Sequence, residues 1–156
     1  MLSFGQTGKE DAVLNYTPQV FNSDTCCWRK LSASHQYTDA GNLIVKYIHR
    51  HHKDANIHAL NWHAGQVYAM AGNNKQAIRY FKKTYNIFYA WFGGEDGKAW
   101  YLYAKGTVAF IEKDQSTLTR MMKKWDKKLP KDKNYQGLVL LAENWGKTYL
   151  EATGSH

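Results

Sequence analysis

The chain has 156 residues, of which 44% are hydrophobic and 15% aromatic, and its formal net charge is +8. This composition excludes an intrinsically disordered chain, which would be poor in aromatic and apolar residues, and the length suits a single domain with a sizeable core. The sequence contains no apolar run long enough to cross a membrane, and residues 1–13 lack the apolar segment of a signal peptide. We therefore expect no membrane partner and a location in the reducing cytoplasm.

The sequence divides into three predicted regions. Residues 1–36 are expected to form an irregular arm with one short helix from Ser23 to Leu31, residues 37–152 a helical domain, and residues 153–156 a remnant of an expression tag. Apolar residues in the domain recur every three or four positions, which favours helices over strands. We predict helices over about 38–51, 54–71, 75–92, 98–111, 116–128 and 135–152, with Thr38 or Asp39 capping the first.

Two details of this assignment carry further expectations. The helix over 75–92 is predicted to bury one stripe, formed by Ala77, Phe81, Tyr85, Phe88 and Phe92. The segment Gly93–Gly97 is predicted to be a loop, and the helix after it is apolar on most sides, which indicates a central position.

Small and aromatic residues near the middle of the chain form a ladder. It consists of Gly65, Tyr68, Ala77 and Phe81, with the turn Gly72-Asn73-Asn74 between its two halves. Over residues 61–85 this pattern resembles one tetratricopeptide repeat, a helix-turn-helix unit. The resemblance implies that Gly65 lies where two helices approach closely and that Tyr68 covers the groove between them. It also implies that Ala77 faces the first helix and that Phe81 packs into the following unit.

The resemblance has limits that can be read in the chain. The early tryptophan or leucine of the family falls on Asn61, with Trp62 one position away, and its closing proline falls on Tyr89. A second unit is suggested by Trp100, Ala104, Thr107, Leu118 and Met122, at a spacing longer than the family repeat. The fold class expected is all-α, with five or six helices in antiparallel hairpins stacked as a short tetratricopeptide-like superhelix.

The family resemblance implies a binding module whose partner is a protein or a short peptide. Such a partner would lie in a groove lined by side chains that point away from the core. The candidate groove residues are His58, Asn61, Trp62, Gln66, Tyr101 and Lys105. A homodimer is a further possibility that the sequence allows.

Two alternative functions are kept beside this one. The first is nonspecific binding of nucleic acid or another polyanion, because residues 120–133 contain seven basic and two acidic residues. The candidate basic patch is Arg50, Lys53, Arg120, Lys123, Lys124, Lys127 and Lys128. The second is a small-molecule-binding protein or an enzyme with an aromatic-lined pocket.

Catalytic and metal-binding motifs are not found in the sequence. It lacks a nucleophile elbow, a phosphate-binding glycine loop and a dinucleotide fingerprint, so no catalytic residue or cofactor is predicted. Five histidines lie between His49 and His63, but only His49 and His52 have the spacing of metal ligands on a helix, and no metal site is predicted. Cys26 and Cys27 are expected to serve packing rather than catalysis.

Overall fold

The computed structural model describes residues 11–53 and 57–154, and the regular elements in those ranges are all helical. Residues 11–14 form a helical turn, and residues Lys82–Thr84 form a 3₁₀ helix. The α-helices are α1 (Pro18–Phe21), α2 (Cys27–Ala33), α3 (Tyr37–Arg50), α4 (Ile57–Met70), α5 (Asn74–Phe81), α6 (Ile87–Phe92), α7 (Gly94–Glu112), α8 (Gln115–Lys128), α9 (Lys133–Glu143) and α10 (Tyr149–Thr153).

These helices stack on their neighbours in the sequence. Helix α3 packs on α2 and α4, α4 packs on α5, and α8 packs on α7 and α9. Helix α7 also contacts α5, α6 and α9, and the short α10 returns to α4. The prediction of an all-α chain of stacked helices is therefore confirmed, and the central position of the apolar helix α7 agrees with its many buried side chains.

The predicted helix over 75–92 is wrong because the chain breaks in its middle. Helix α5 ends at Phe81, and after the 3₁₀ turn Tyr85 adopts an extended backbone with φ −146° and ψ 148°. The Thr84 hydroxyl donates to the carbonyl of Phe81 at 2.8 Å, which closes this turn. The periodic stripe does not continue across the break, and the side chains of Phe88 and Phe92 are 64% and 80% exposed rather than buried.

Two other boundaries also differ from expectation. The predicted loop Gly93–Gly97 is largely helical, since α7 begins at Gly94. Glu95 and Asp96 lie in its first turn, where negative side chains interact favourably with the helix dipole. The predicted final helix is divided into α9 and α10 by a turn in which Gly146 has a φ of +94°.

The N-terminal helices also begin later or earlier than expected. The helix predicted from Ser23 begins at Cys27, and α3 begins directly after Gln36, so Thr38 and Asp39 lie inside it and do not cap it. Residues 1–10 of the predicted arm, residues 54–56 of the predicted second domain helix and residues 155–156 of the tag remnant lie outside the described residues.

The ladder of small and aromatic residues is buried and joins three helices. A Cβ atom added at Gly65 would lie 2.5 Å from Cδ1 of Phe81, so the Phe81 ring lies directly on the α4 backbone. The Tyr68 ring lies in the same way on Gly41 of α3, which places it between α3 and α4. These contacts fix how closely α3, α4 and α5 approach one another.

Candidate functional site

The residues predicted to line a groove fall into two groups in the structure. Asn61 and Trp62 do not point away from the core: their exposed fractions are 5% and 7%. The Trp62 ring packs 4.5 Å from that of Phe81 and 4.8 Å from that of Trp100, and the Asn61 amide donates to the carbonyl of Ile57 at 2.8 Å. The expectation of an outward groove is corrected at these two positions, because the interface of α4 with α5 and α7 encloses them.

The other two α4 residues of the predicted groove are half-buried and make contacts within the helix stack. His58 Nε2 lies 2.6 Å from the carbonyl oxygen of Thr84, and Gln66 Oε1 lies 3.1 Å from Nδ1 of His63. The α4 side chains therefore contribute mainly to packing and to the internal hydrogen bonds of the stack.

Of the two α7 residues of the predicted groove, Tyr101 lines an open cleft and Lys105 contacts Tyr101. The Lys105 ammonium donates to the Tyr101 hydroxyl at 3.0 Å, and Tyr101 lines a cleft between α6, α7 and α8 with a volume of about 400 Å³. We call this space the α6–α8 cleft. It is lined by Ile87, Ala90, Trp91, Lys98, Tyr101, Leu102, Lys124, Lys128 and Leu129.

Helix α6 gives the cleft its apolar wall and carries the most exposed aromatic side chains among the described residues. Trp91 and Ile87, which line the cleft, are 68% and 44% exposed. Phe88 and Phe92 lie in a separate depression with Asn86 and Gly93. The helix has the sequence IFYAWF, which offers no polar face, and its main packing contact among the described residues is with α7. One main neighbour leaves part of this apolar helix exposed. An exposed apolar cluster of this kind is typical of an interaction site.

The sequence pattern does not predict this surface, because helical periodicity places Phe88 and Phe92 in a buried stripe. The signal that could have found it is the run of apolar residues over 87–92, which has no polar face at helical spacing. A short helix that is apolar on every side must either be enclosed by several neighbours or expose part of its surface.

Two of the three lysines at the rim of the cleft belong to the basic patch that the sequence predicts as a separate site. Lys124 and Lys128 of the predicted basic patch line the α6–α8 cleft together with Lys98. Lys124 also lines a second depression of about 400 Å³ along α8, formed with Ser116, Thr119, Arg120, Lys123 and Lys127. The structure thus brings Tyr101 from the predicted groove and five members of the predicted basic patch onto one continuous surface.

The remaining two members of the basic patch are on another part of the stack. Arg50 ends α3 and forms an ion pair with Asp11 at 3.2 Å, and Lys53 follows shortly after it. Among the described residues, α3 packs chiefly on α2 and α4, whereas α8 packs on α7 and α9. Arg50 and Lys53 therefore do not extend the basic surface of α8.

Burial raises the pKa values of two groups outside this surface. Burial, with the Glu112 carboxylate and Tyr101 nearby, raises the pKa of Tyr85 to about 12. Burial also raises the pKa of the Cys27 thiol to about 12, with a contribution from the adjacent Cys26. At neutral pH the Cys27 thiol is protonated, which makes it a poor nucleophile.

The described residues do not bring three or more His, Cys, Asp or Glu side chains together as a metal site would require. In residues 11–53 and 57–154 no helix is both long and apolar enough to cross a bilayer. Comparison with family models, with curated proteins and with solved structures found no match to this chain.

Proposed function

We propose that this chain is a non-enzymatic, tetratricopeptide-like scaffold that binds a protein or a short peptide in the α6–α8 cleft. The observation that carries the proposal is the exposure of Ile87 and Trp91 on one wall of that cleft, at 44% and 68%. Aromatic side chains in a depression are typical energetic centres of protein interfaces.

The apolar wall alone offers a substantial binding free energy. A tryptophan side chain buries about 150–250 Å², so the exposed two-thirds of Trp91 corresponds to about 130 Å². At about 25 cal/mol per Å², covering this area contributes about 3 kcal/mol before the entropic cost of association.

The two walls of the cleft that α7 and α8 form are well supported by the rest of the stack. Helices α7 and α8 pack along each other, and α7 is fixed on its other sides by α5 and α9. Leu102 of α7 is 7% exposed and contributes to both the core and the cleft. A surface carried by packed helices loses little conformational freedom on binding, which favours recognition of a flexible peptide.

Selection from a random peptide library tests this proposal. Peptides of about twelve residues, which can extend over about 40 Å, are selected on the immobilised protein. We expect enriched peptides to bind the Trp91→Ala variant at least about tenfold more weakly, because a central interface tryptophan is commonly a hot spot.

The matched control is Phe92→Ala on the same helix. Phe92 is 80% exposed but lies outside the α6–α8 cleft, so its removal should leave the affinity unchanged. A library that gives no enriched peptide, or enriched peptides that bind Trp91→Ala as tightly as wild type, would contradict the proposed function.

A further inference from the structure

We infer, on the premise of the proposed function, that the segment bound by this chain is acidic and amphipathic. Its apolar side chains would occupy the α6–α8 cleft, and its carboxylates would lie against the lysines of the rim and along the basic face of α8. The bound segment would carry negative charge and extend from the cleft along α8.

The charge around the cleft favours an acidic segment. Lys98, Lys124 and Lys128 contribute three ammonium groups, and no carboxylate is among the described residues that line the cleft. Within residues 11–53 and 57–154 none of the three lysines forms an ion pair. A bound segment that covers them without supplying opposite charge would remove water from unpaired cations, which is costly.

The acidic groups nearest in sequence do not neutralise this rim. Glu95 and Asp96 stand in the first turn of α7, outside the residues that line the cleft. Asp126, on α8 between the rim lysines, accepts a hydrogen bond from Tyr135 at 2.7 Å and pairs with Lys131 at 3.3 Å. Its charge is therefore directed to α9 and to the residues before it, away from the cleft.

The positive surface continues from the cleft along α8. Lys124 belongs both to the α6–α8 cleft and to the depression that contains Arg120, Lys123 and Lys127. The face from Arg120 to Lys128 extends for about 12 Å at 1.5 Å per residue. An extended peptide covers that distance with about four residues, so a short acidic run beside an apolar anchor matches the surface.

Shape and net charge favour this occupant over two others. The lysines and Trp91 surround a concave cleft, whereas a helix that lies in a membrane interface presents a convex apolar face to the lipid. A second copy of the chain would bring another +8 formal charge toward the same surface. An acidic peptide satisfies both the concavity and the charge.

The test uses the peptide pool selected above and one enriched peptide made in two forms. The acidic form is compared with a form in which every Glu and Asp is replaced by Gln or Asn, and binding is measured by fluorescence anisotropy. The protein is wild type, the double variant Lys124→Gln with Lys128→Gln, or the control Lys30→Gln with Lys75→Gln. The control removes the same charge from exposed lysines on α2 and α5.

We expect the pool to be enriched in acidic residues and the acidic form to bind at least about tenfold more tightly than the neutral form. The Lys124→Gln and Lys128→Gln variant should lose most of that difference, and the control should lose none. Raising the salt from about 0.1 M to about 1 M shortens the Debye length from about 10 Å to about 3 Å and should weaken only the acidic form.

Three results would overturn the inference. An enriched pool with no acidic bias, whose binding still depends on Trp91, would refute the acidic partner while leaving the proposed function intact. Equal affinity of the acidic peptide and its Gln/Asn form would also refute the acidic partner and leave the proposed function intact. Binding of phosphatidylserine-containing vesicles through Lys124 and Lys128, without any enriched peptide, would reject both proposals in favour of a lipid surface.

Discussion

The contact between Gly65 and Phe81 gives the sharpest test of how the central helices pack. Replacing Gly65 with alanine would place a Cβ atom 2.5 Å from Cδ1, 2.7 Å from Cε1 and 2.8 Å from Cγ of Phe81. Phe81 is fully buried and its ring also packs against Trp62 at 4.5 Å. The ring therefore cannot rotate away without displacing other core residues.

The size of the effect follows from two opposing contributions. Overfilling a packed core costs about 1–3 kcal/mol, and a clash with three ring atoms, one of them Cγ near the backbone, belongs at the upper end. Alanine in a helix interior gains about 1 kcal/mol over glycine. We expect Gly65→Ala to lower the free energy of unfolding by about 2 kcal/mol.

Urea denaturation followed by circular dichroism measures this loss. Gly106→Ala is the matched control, because its Cβ would lie 2.7 Å from a terminal methyl, Cδ2 of Leu138, and should cost about 1 kcal/mol or less. In a Phe81→Leu background the cost of Gly65→Ala should shrink, since the two side chains are coupled. Equal stability of wild type and Gly65→Ala, or the same cost in both backgrounds, would refute the contact.

Two further predictions concern pH. Hydrogen bonds from Thr117, with Ser116 contributing, lower the pKa of Asp114 from 3.8 to about 2, so its stabilising effect is present above pH 3.8 and is lost as the pH falls toward about 2. The melting temperature of Asp114→Asn should fall less than that of wild type as the pH is lowered from about 4 to about 2. The same pH dependence in both proteins would contradict the capping role of Asp114. Burial lowers the pKa of His63 below 6.5, against the opposing hydrogen bond with Gln66 and with a smaller effect of Arg29. The contribution of His63 to stability is therefore fully present above pH 6.5 and is lost as the pH falls below 6.5. Below pH 6.5 the free energy of unfolding should depend less on pH in His63→Gln than in wild type. An equal slope in the two proteins would contradict this role of His63.

The parts of the fold that could be predicted from the sequence are those set by local patterns. Helix α3 was expected over 38–51 and runs from Tyr37 to Arg50, and α8 was expected over 116–128 and runs from Gln115 to Lys128. Both helices have one apolar face opposite a polar one, so their periodicity alone identifies them. The Asp114 side chain caps α8 through the amide of Thr117 at 3.0 Å, a local contact that fixes where the helix begins.

The break between α5 and α6 could not be predicted in this way, because distant residues stabilise it. The carbonyl oxygen of Thr84 accepts a hydrogen bond from Nε1 of Trp100 at 2.7 Å and lies 2.6 Å from Nε2 of His58. These partners come from α7 and α4. Local periodicity predicts a continued helix through 82–86, whereas the tertiary hydrogen bonds favour a turn there.

The candidate site depends on the same break. If α5 had continued to Phe92 as one helix, Phe88 and Phe92 would share the buried face of Ala77 and Phe81, as the sequence pattern suggests. The turn at Thr84 separates α6 from that register, so Phe88 and Phe92 are exposed and Trp91 lies beside the lysines of α7 and α8. A carbonyl buried among α4 and α7 therefore determines which apolar side chains remain available to a partner, and the core and the proposed binding surface are consequences of one backbone turn.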